Sequence, residues 1–338
     1  MPSCARKHLF QPGAEGVFHC WSRCVRGARL TGVDPVTGKR CDHRRGWVVE
    51  RMDVLCQVFA IEVLFFAILG SHLHHTLRSL PRLVKRMGDW EVARRWLTAF
   101  PGQWVLDGPP PAPSEAQVDA LARDKPRIQV IRTRLSDVSW FFRALKEPIA
   151  RRANAEDETR GPYFAGRYGC RLVEGDEATL GTGIYNDLNL LRAGMSATPF
   201  DSPYCSSGLR FRAAAGGEPT PWLAELTLAS GQSDETVSGT KRRATDKGCL
   251  DMTWEQYAKV LTWAATLPVA GKASMSRELA ELLERQGLRP DSLGEFLERL
   301  PRVFRRAIGV AAALTERAAA VGQRWFQGVG QAAKYFTR

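Results

Sequence analysis

The chain has 338 residues, 44% of them hydrophobic and 25% charged, with ten tryptophans; this excludes a wholly disordered chain and leaves room for two domains, or one with large extensions. A formal net charge of +12 at pH 7 favours a polyanionic partner, nucleic acid before membrane. The longest apolar run, "CQVFAIEVLFFAILG" (56–70), is too short to span a bilayer and carries Glu62, and "MPSCARKHLFQPG" has no apolar core of signal-peptide type, so a cytoplasmic protein with mostly reduced cysteines is expected, nucleoid-associated when bound to DNA.

In chain order, "GVFHCWSRCVRGA" (16–28) alternates loosely and opens as a strand. Trp47, Met52, Leu55 and Val58 stand at helical spacing within 42–58. The apolar stretch 58–68 reads as a buried central strand, and "HLHHTLRS" (72–79) as its hairpin partner across Leu69-Gly70-Ser71. "DWEVARRWLTAF" (89–100) reads as a short helix. The prolines of "PGQWVLDGPPPAPSEAQ" cannot continue a helix, so an inserted loop is expected over about 101–127. Residues 135–157 read as a long helix with Ser136 as N-cap and a kink at Pro148. The aromatic-rich "GPYFAGRYGCRLVE" (161–174) reads as a strand. Residues 176–194 read as a helix with Asp176 as N-cap, Arg192 in the last turn and Gly194 as stop.

The order strand, helix, strand, strand, helix, strand predicts an α+β fold: a ferredoxin-like antiparallel sheet followed by an added helix, within a domain spanning 1–210. Residues 211–250, rich in Gly, Pro, Ser and Thr, read as linkers, and 251–338 as a helical C-terminal extension. Its last part, 301–338, holds seven basic residues against Glu316 alone, either a solvated helix face or a contact to a DNA backbone.

Three of the six histidines fall within 72–75. In a strand, His72 and His74 point to one face and His75 to the other. Two imidazoles side by side hold a divalent cation, or else form a plain hydrogen-bonded surface pair. On the later helix Tyr185 and Asn189, four apart, share a face, while Leu180, Ile184, Leu188 and Leu191 make a separate packing stripe. Transfer of a phosphodiester to a protein hydroxyl needs a nucleophile that forms a covalent ester. It also needs a cation against the charge growing on phosphate oxygens. Tyr185 would supply the phenol, and His72 and His74, with the amide oxygen of Asn189, would supply the cation site. The product would be a 5′-phosphotyrosine and a free 3′-hydroxyl, the ester conserving energy for rejoining without ATP. The cysteines offer a weaker alternative. There is no CxxC, and Cys20 and Cys24 in a strand lie about 13 Å apart, too far to share a zinc ion; only a helix would bring them together, with Cys41 and His43 completing the set.

The stretches "HCWSRCVRG", "DHRRGW", "AILGSHLHHTLRS", "LSDVSWFFRALKEPIARRAN" and "YFAGRYGCRLVEGDEATLGTGIYNDLNLLRAG" resemble the single-tyrosine HUH transposases of the insertion-sequence-200-like class. Within that class the resemblance is to the REP-associated tyrosine transposases. It covers roughly residues 8–210 and rests on His-x-His followed by Tyr-x-x-x-Asn in that order. It implies an HUH motif on a central strand, His72, His74 and Asn189 as metal ligands, and Tyr185 as nucleophile. It further implies cleavage and strand transfer at single-stranded or hairpin DNA with Mg²⁺ or Mn²⁺, by a homodimer. Arg23, Arg26, Arg44, Arg45, Arg167 and Arg192, all within these stretches, become candidate DNA contacts. The chain departs from the family pattern at Ser71, where Asn is usual, and at Leu190, where Pro is usual. "FAGRYG" replaces a Trp-Glu-Gly-Arg-Phe-Lys motif, placing Ala165 and Gly169 at its acid and its lysine. The other reading the sequence leaves is a hairpin-DNA-binding protein that keeps the fold and has lost turnover.

Overall fold

The computed structural model describes residues 15–25, 27–34, 38–102, 111–228, 237–267 and 275–337. Its centre is a sheet of five strands in the order β2-β3-β1-β4-β5. These are β1 (Gly16–Arg23), β2 (Ile61–Ile68), β3 (His72–Ser79), β4 (Gly169–Val173) and β5 (Ala307–Ile308). The first four pair antiparallel, β2 with β3, β3 with β1 and β1 with β4, while β5 joins parallel to β4. The fold is α+β, but the sheet is mixed where an antiparallel one is expected, because the C-terminal region donates a strand to it.

The strand β2 lies at the edge of the sheet, not at its centre, yet all eight of its residues are buried. Its outer side is covered by chain from 204–206 and from 224. Ala224 N–H donates to the Val63 carbonyl at 3.0 Å, Ile68 N–H to the Tyr204 carbonyl at 2.9 Å, and Phe66 N–H to Ser206 Oγ at 3.2 Å. A covered edge of this kind has no unpaired row to recruit another chain. Buried Glu62 accepts from Arg78 Nε at 2.7 Å and from the backbone N–H and hydroxyl of Thr245 at 2.7 and 2.6 Å. Partners of both kinds are what let a carboxylate stay inside an apolar strand.

One face of the sheet carries α1 (Arg44–Val58) and α6 (Val138–Glu156), with His75 of β3 edge-on to Phe142 of α6. The N-cap of α6 is Asp137, whose carboxylate accepts from Ser139 N–H at 2.6 Å. Ser136 stands one residue too early and donates instead to the Thr133 carbonyl. Between β3 and α6 lie α2 (Pro81–Arg86), α3 (Asp89–Ala99), α4 (Glu115–Arg123) and α5 (Lys125–Arg134), with a small core of their own that includes Val92, Trp96, Leu121 and Ile128. The inserted segment is therefore helical from 115 onward, where a loop to about 127 is expected. Ser114 and Gln117 form a reciprocal capping box, and Pro126 sits in the first turn of α5, where a missing N–H costs nothing.

The other face carries α7 (Asp176–Asp187), followed after Leu188 by the single turn α8 (Asn189–Arg192). The expected continuous helix is thus two. Its cap is Gly175, at φ +93°, and Asp176 lies in the first turn, where a negative charge still meets the helix N-terminus. Gly194, at φ +65°, ends it as expected. The remaining helices are α9 (Ser206–Ala214), α10 (Trp254–Thr266), α11 (Arg277–Arg285), α12 (Leu293–Val303), α13 (Ala311–Ala320) and α14 (Val329–Tyr335). Their apolar side chains, among them Tyr257, Phe296, Leu297 and Tyr335, belong to the same continuous core as β1–β4. Among the described residues no helix is long and apolar enough to cross a membrane.

Candidate active site

The period of two in β3 does what the sequence predicts: His72, His74 and Thr76 share the face under α7, and His75 lies on the other. The antiparallel register sets Arg23 opposite His72, Trp21 opposite His74 and His19 opposite Thr76. Across β1, Trp21 pairs with Gly169 and His19 with Arg171. Side chains from three strands thus line one floor: His72 and His74, then His19, Trp21 and Arg23, then Arg171.

Above that floor, α7 is held close by its two internal glycines. A Cβ at Gly183 would lie 2.7 Å from the Phe65 ring of β2, and one at Gly181 would lie 2.7 Å from Phe296 of α12. Each glycine costs about 1 kcal/mol of helix propensity against alanine, and close approach to the sheet and to α12 is what that cost secures. The helix also bonds to the floor directly, Asn186 Nδ2 donating to Thr76 Oγ1 at 2.8 Å.

This places the half-buried ring of Tyr185 over the histidines. Ring centroids are 5.7 Å apart for Tyr185 and His74, 5.6 Å for Tyr185 and His19, and 5.2 Å for His72 and His74. Burial pushes the Tyr185 phenol up from its ordinary pKa, while the guanidiniums of Arg171, Arg192 and Arg23 pull it down. His74 and His19 are held well below the ordinary histidine value, by burial first; for His74 the neighbouring His72 follows, and for His19 the guanidinium of Arg171. Both are neutral at pH 7, the form that binds a cation.

Two imidazoles bonded to one ion at about 2.1 Å set their ring centroids roughly 5 Å apart, and the His72–His74 separation of 5.2 Å meets that. The donor chemistry of the pair fits a divalent cation. The amide nitrogen of Asn189 donates to the Tyr185 carbonyl at 2.9 Å, along the helix, a bond that does not engage its amide oxygen. Among the described residues no group of three or more His, Cys, Asp or Glu is arranged to hold a metal. The described cysteines are all free, with Cys20 Sγ 3.6 Å from Cys170 Sγ across neighbouring strands, and Cys20 lies in the strand β1, not in the helix that would bring it together with Cys24.

No protein-family model matches the chain, and no curated protein matches it. Among solved structures, the chain is similar to that of a REP-associated tyrosine transposase bound to a REP hairpin. The two are 12% identical with a TM-score of 0.36, over 69% of this chain and 98% of that one.

The arginines divide. Arg23 is exposed beside His72, and Arg192 lies near Tyr185 with Nη1 donating to the Leu297 carbonyl at 3.0 Å. Arg44 is a correction: it is buried, donating to Glu156 at 2.9 Å, to the Arg29 carbonyl at 3.2 Å and to Asp157 at 3.0 Å, so it ties α1 to the end of α6 and presents nothing to DNA. Arg45 lies over the Tyr204 ring at 4.0 Å. Arg167 is exposed and lines a cleft of about 480 Å³ with Phe142, Lys146 and Tyr168, on the α6 side and away from Tyr185. Arg26 lies outside the described residues.

Three members of the floor escape sequence reasoning: His19, Trp21 and Arg171. Arg171 stacks on the Trp21 ring at 4.2 Å, contacts His19 Nδ1 through Nη1 at 3.4 Å, and donates from Nη2 to the Pro301 carbonyl at 3.1 Å. The signal for the first two is present in the strand itself, because His19, Trp21 and Arg23 alternate onto one face.

Proposed function

We propose that this protein cleaves and transfers single-stranded or hairpin DNA through a covalent tyrosine ester. The observation that carries the reading is the meeting of Tyr185 with His74 and His72 on one sheet face, at 5.7 and 5.2 Å between successive rings. In this reading the ferredoxin-like strand arrangement presents the two histidines of an HUH motif, and α7 presents the nucleophile.

The phenol oxygen of Tyr185 attacks phosphorus, a P–O bond to the tyrosine forms, and the bond from phosphorus to the 3′-oxygen breaks. The phenol proton ends on that 3′-oxygen, leaving a 5′-phosphotyrosine and a free 3′-hydroxyl. His72 and His74, with the amide oxygen of Asn189, would hold Mg²⁺ or Mn²⁺, which when bound would supply positive charge against the non-bridging oxygens. Arg23 and Arg192 add fixed positive charge at the edge of the site, and Arg171 adds it from below. α7 keeps the Tyr185 ring half-buried against the sheet. The helix is bonded to the sheet it covers, so the phenol is positioned before substrate arrives.

The test is covalent capture. Wild-type protein with single-stranded hairpin DNA and Mn²⁺ should give an adduct stable to denaturing electrophoresis, carried on the peptide containing Tyr185. Tyr185→Phe should bind the same DNA and give no adduct. His74→Ala should lower the adduct by at least about 100-fold, the scale of losing one strong electrostatic contributor, and His75→Ala should leave it in place. An adduct on Tyr168 or Tyr204, or none from wild type in any divalent cation, would reject the assignment.

A further inference from the structure

We propose that His19 is a positioning residue with two hydrogen-bonded states, and that its state decides whether the outer nitrogen of His74 is free to bind a cation. This rests on the cation site proposed above. His19 Nδ1 lies 3.4 Å from Arg171 Nη1. A guanidinium has donors and no acceptor, so His19 Nδ1 bears the lone pair and the single proton of that ring is on Nε2. His19 Nε2 lies 3.3 Å from His74 Nδ1, so it donates there. His74 Nδ1 then bears a lone pair, and the proton of His74 is on its own Nε2. That is the nitrogen left to face a ligand, and in this state it is capped by hydrogen.

The second state runs the other way. His74 Nδ1–H donates to His19 Nε2, His74 Nε2 is bare, and the His19 proton sits on Nδ1, against the Arg171 guanidinium. One proton leaves at His74 Nε2 and one arrives at His19 Nδ1, so the net change is nil. Beside the two ring contacts, Asn186 of α7 bonds Thr76, which stands opposite His19 in the sheet, and its Oδ1 is buried without a donor. An imidazole that ligates a metal generally donates its other N–H to a fixed acceptor, and His19 Nε2 is the acceptor in reach of His74. Arg171 is itself anchored on the Pro301 carbonyl of α12 and the Trp21 ring, so the C-terminal helices hold the far end of the relay.

The experiment uses the full chain labelled with ¹⁵N-histidine, with tautomers read from long-range ¹H–¹⁵N spectra at pH 7 and Mn²⁺ binding read by electron paramagnetic resonance of the free ion. Metal-free wild type should show both His19 and His74 protonated on Nε2, and saturating Mg²⁺ should move His74 to Nδ1–H. Arg171→Met should give the Nδ1–H form of His74 without any cation. Arg23→Met, which removes an equal charge with no contact to His19, should not. His19→Phe should weaken Mn²⁺ binding by about 10- to 100-fold, and His19→Gln, whose Oε1 accepts from His74 Nδ1–H, should restore it. His74 found as Nδ1–H in the metal-free wild type, or Mn²⁺ bound equally well by His19→Phe, would overturn the relay alone. Wild type with the expected tautomers and no bound Mn²⁺ would reject the cation site, and the positioning role falls with it.

Discussion

The hydroxyl of Tyr257, on α10, donates to the carboxylate of Asp187 at 2.8 Å, two residues beyond the tyrosine that the site is built around. Asp187 is fully buried, and burial pushes its carboxyl up from the ordinary range. It also accepts from Ser207 N–H at 2.9 Å and from the Ser206 hydroxyl of α9. The C-terminal end of α7 is therefore fastened by both α9 and α10, while Phe296 of α12 seats against Gly181 in its middle. The role this gives the C-terminal third is to fix the helix that carries Tyr185.

Tyr257→Phe keeps the ring and removes one hydrogen bond to a buried carboxylate. It should cost about 2 kcal/mol, the range for hydrogen bonds to charged groups, read as a lower urea midpoint with unchanged slope. Binding of single-stranded DNA should hold while the rate of adduct formation falls, because the change loosens the helix and leaves the exposed arginines alone. A rate equal to wild type would mean that α7 is held well enough without α10.

His75 is buried against Phe142 with neither ring nitrogen hydrogen-bonded, and burial drives its pKa from 6.5 down to about 3. Between those values the unfolded chain binds a proton that the folded chain refuses, so stability falls as pH falls below 6.5, by about 1.4 kcal/mol per unit for this group. His75→Phe should raise stability at pH 7, since it removes two unpaired polar atoms. It should also flatten the loss between pH 6 and 4.5 by the slope of one proton. Urea titrations at several pH values read both, and an unchanged slope would place the acid sensitivity elsewhere.

What the sequence made legible follows the range of the cause. The split of His72 and His74 from His75 is local, because a period of two needs only that the segment be a strand. The stacking of Tyr185 and Asn189 on one helix face is local too, and the bond from Asn189 back to the Tyr185 carbonyl is its expression. The place of His19 is not local. It depends on β1 pairing with β3 in the register that sets His19 opposite Thr76, a contact across more than fifty residues. The same holds for 211–250: its composition says linker, but Thr245 is the partner of Glu62 and Arg243 bonds the Pro221 carbonyl and Glu225, pairings invisible until the strand edge is in place.

The arginines give a prediction that separates surface from scaffold. Arg23→Ala should weaken single-stranded DNA binding and lower the salt slope by about one counterion, with little effect on folding. Arg44→Met breaks a buried guanidinium away from Glu156 and Asp157. It should destabilise the fold by about 2–3 kcal/mol, below the value for a fully buried pair because both acids are partly exposed. DNA affinity per folded molecule should not change. A reduced salt slope in Arg44→Met would return that residue to the DNA contacts.

The departure at Gly169 yields the sharpest prediction, because the fold supplies a reason for it. A Cβ on Gly169 would lie 2.2 Å from the Trp21 ring, and Arg171 stacks on the same indole. A lysine, which the resemblance places here, has no room while Trp21 keeps its place, so the seat of the indole requires a glycine at 169. Gly169→Lys should therefore not improve adduct formation. It should displace the indole, cost about 1–3 kcal/mol by overpacking, and move Arg171 away from His19. Pairing it with Trp21→Ala should recover most of the lost stability, since the second change vacates the volume the first requires. Both effects are read from urea midpoints of the two single variants and the double. A Gly169→Lys protein as stable as wild type, with tryptophan fluorescence unchanged, would show that the indole does not depend on the glycine.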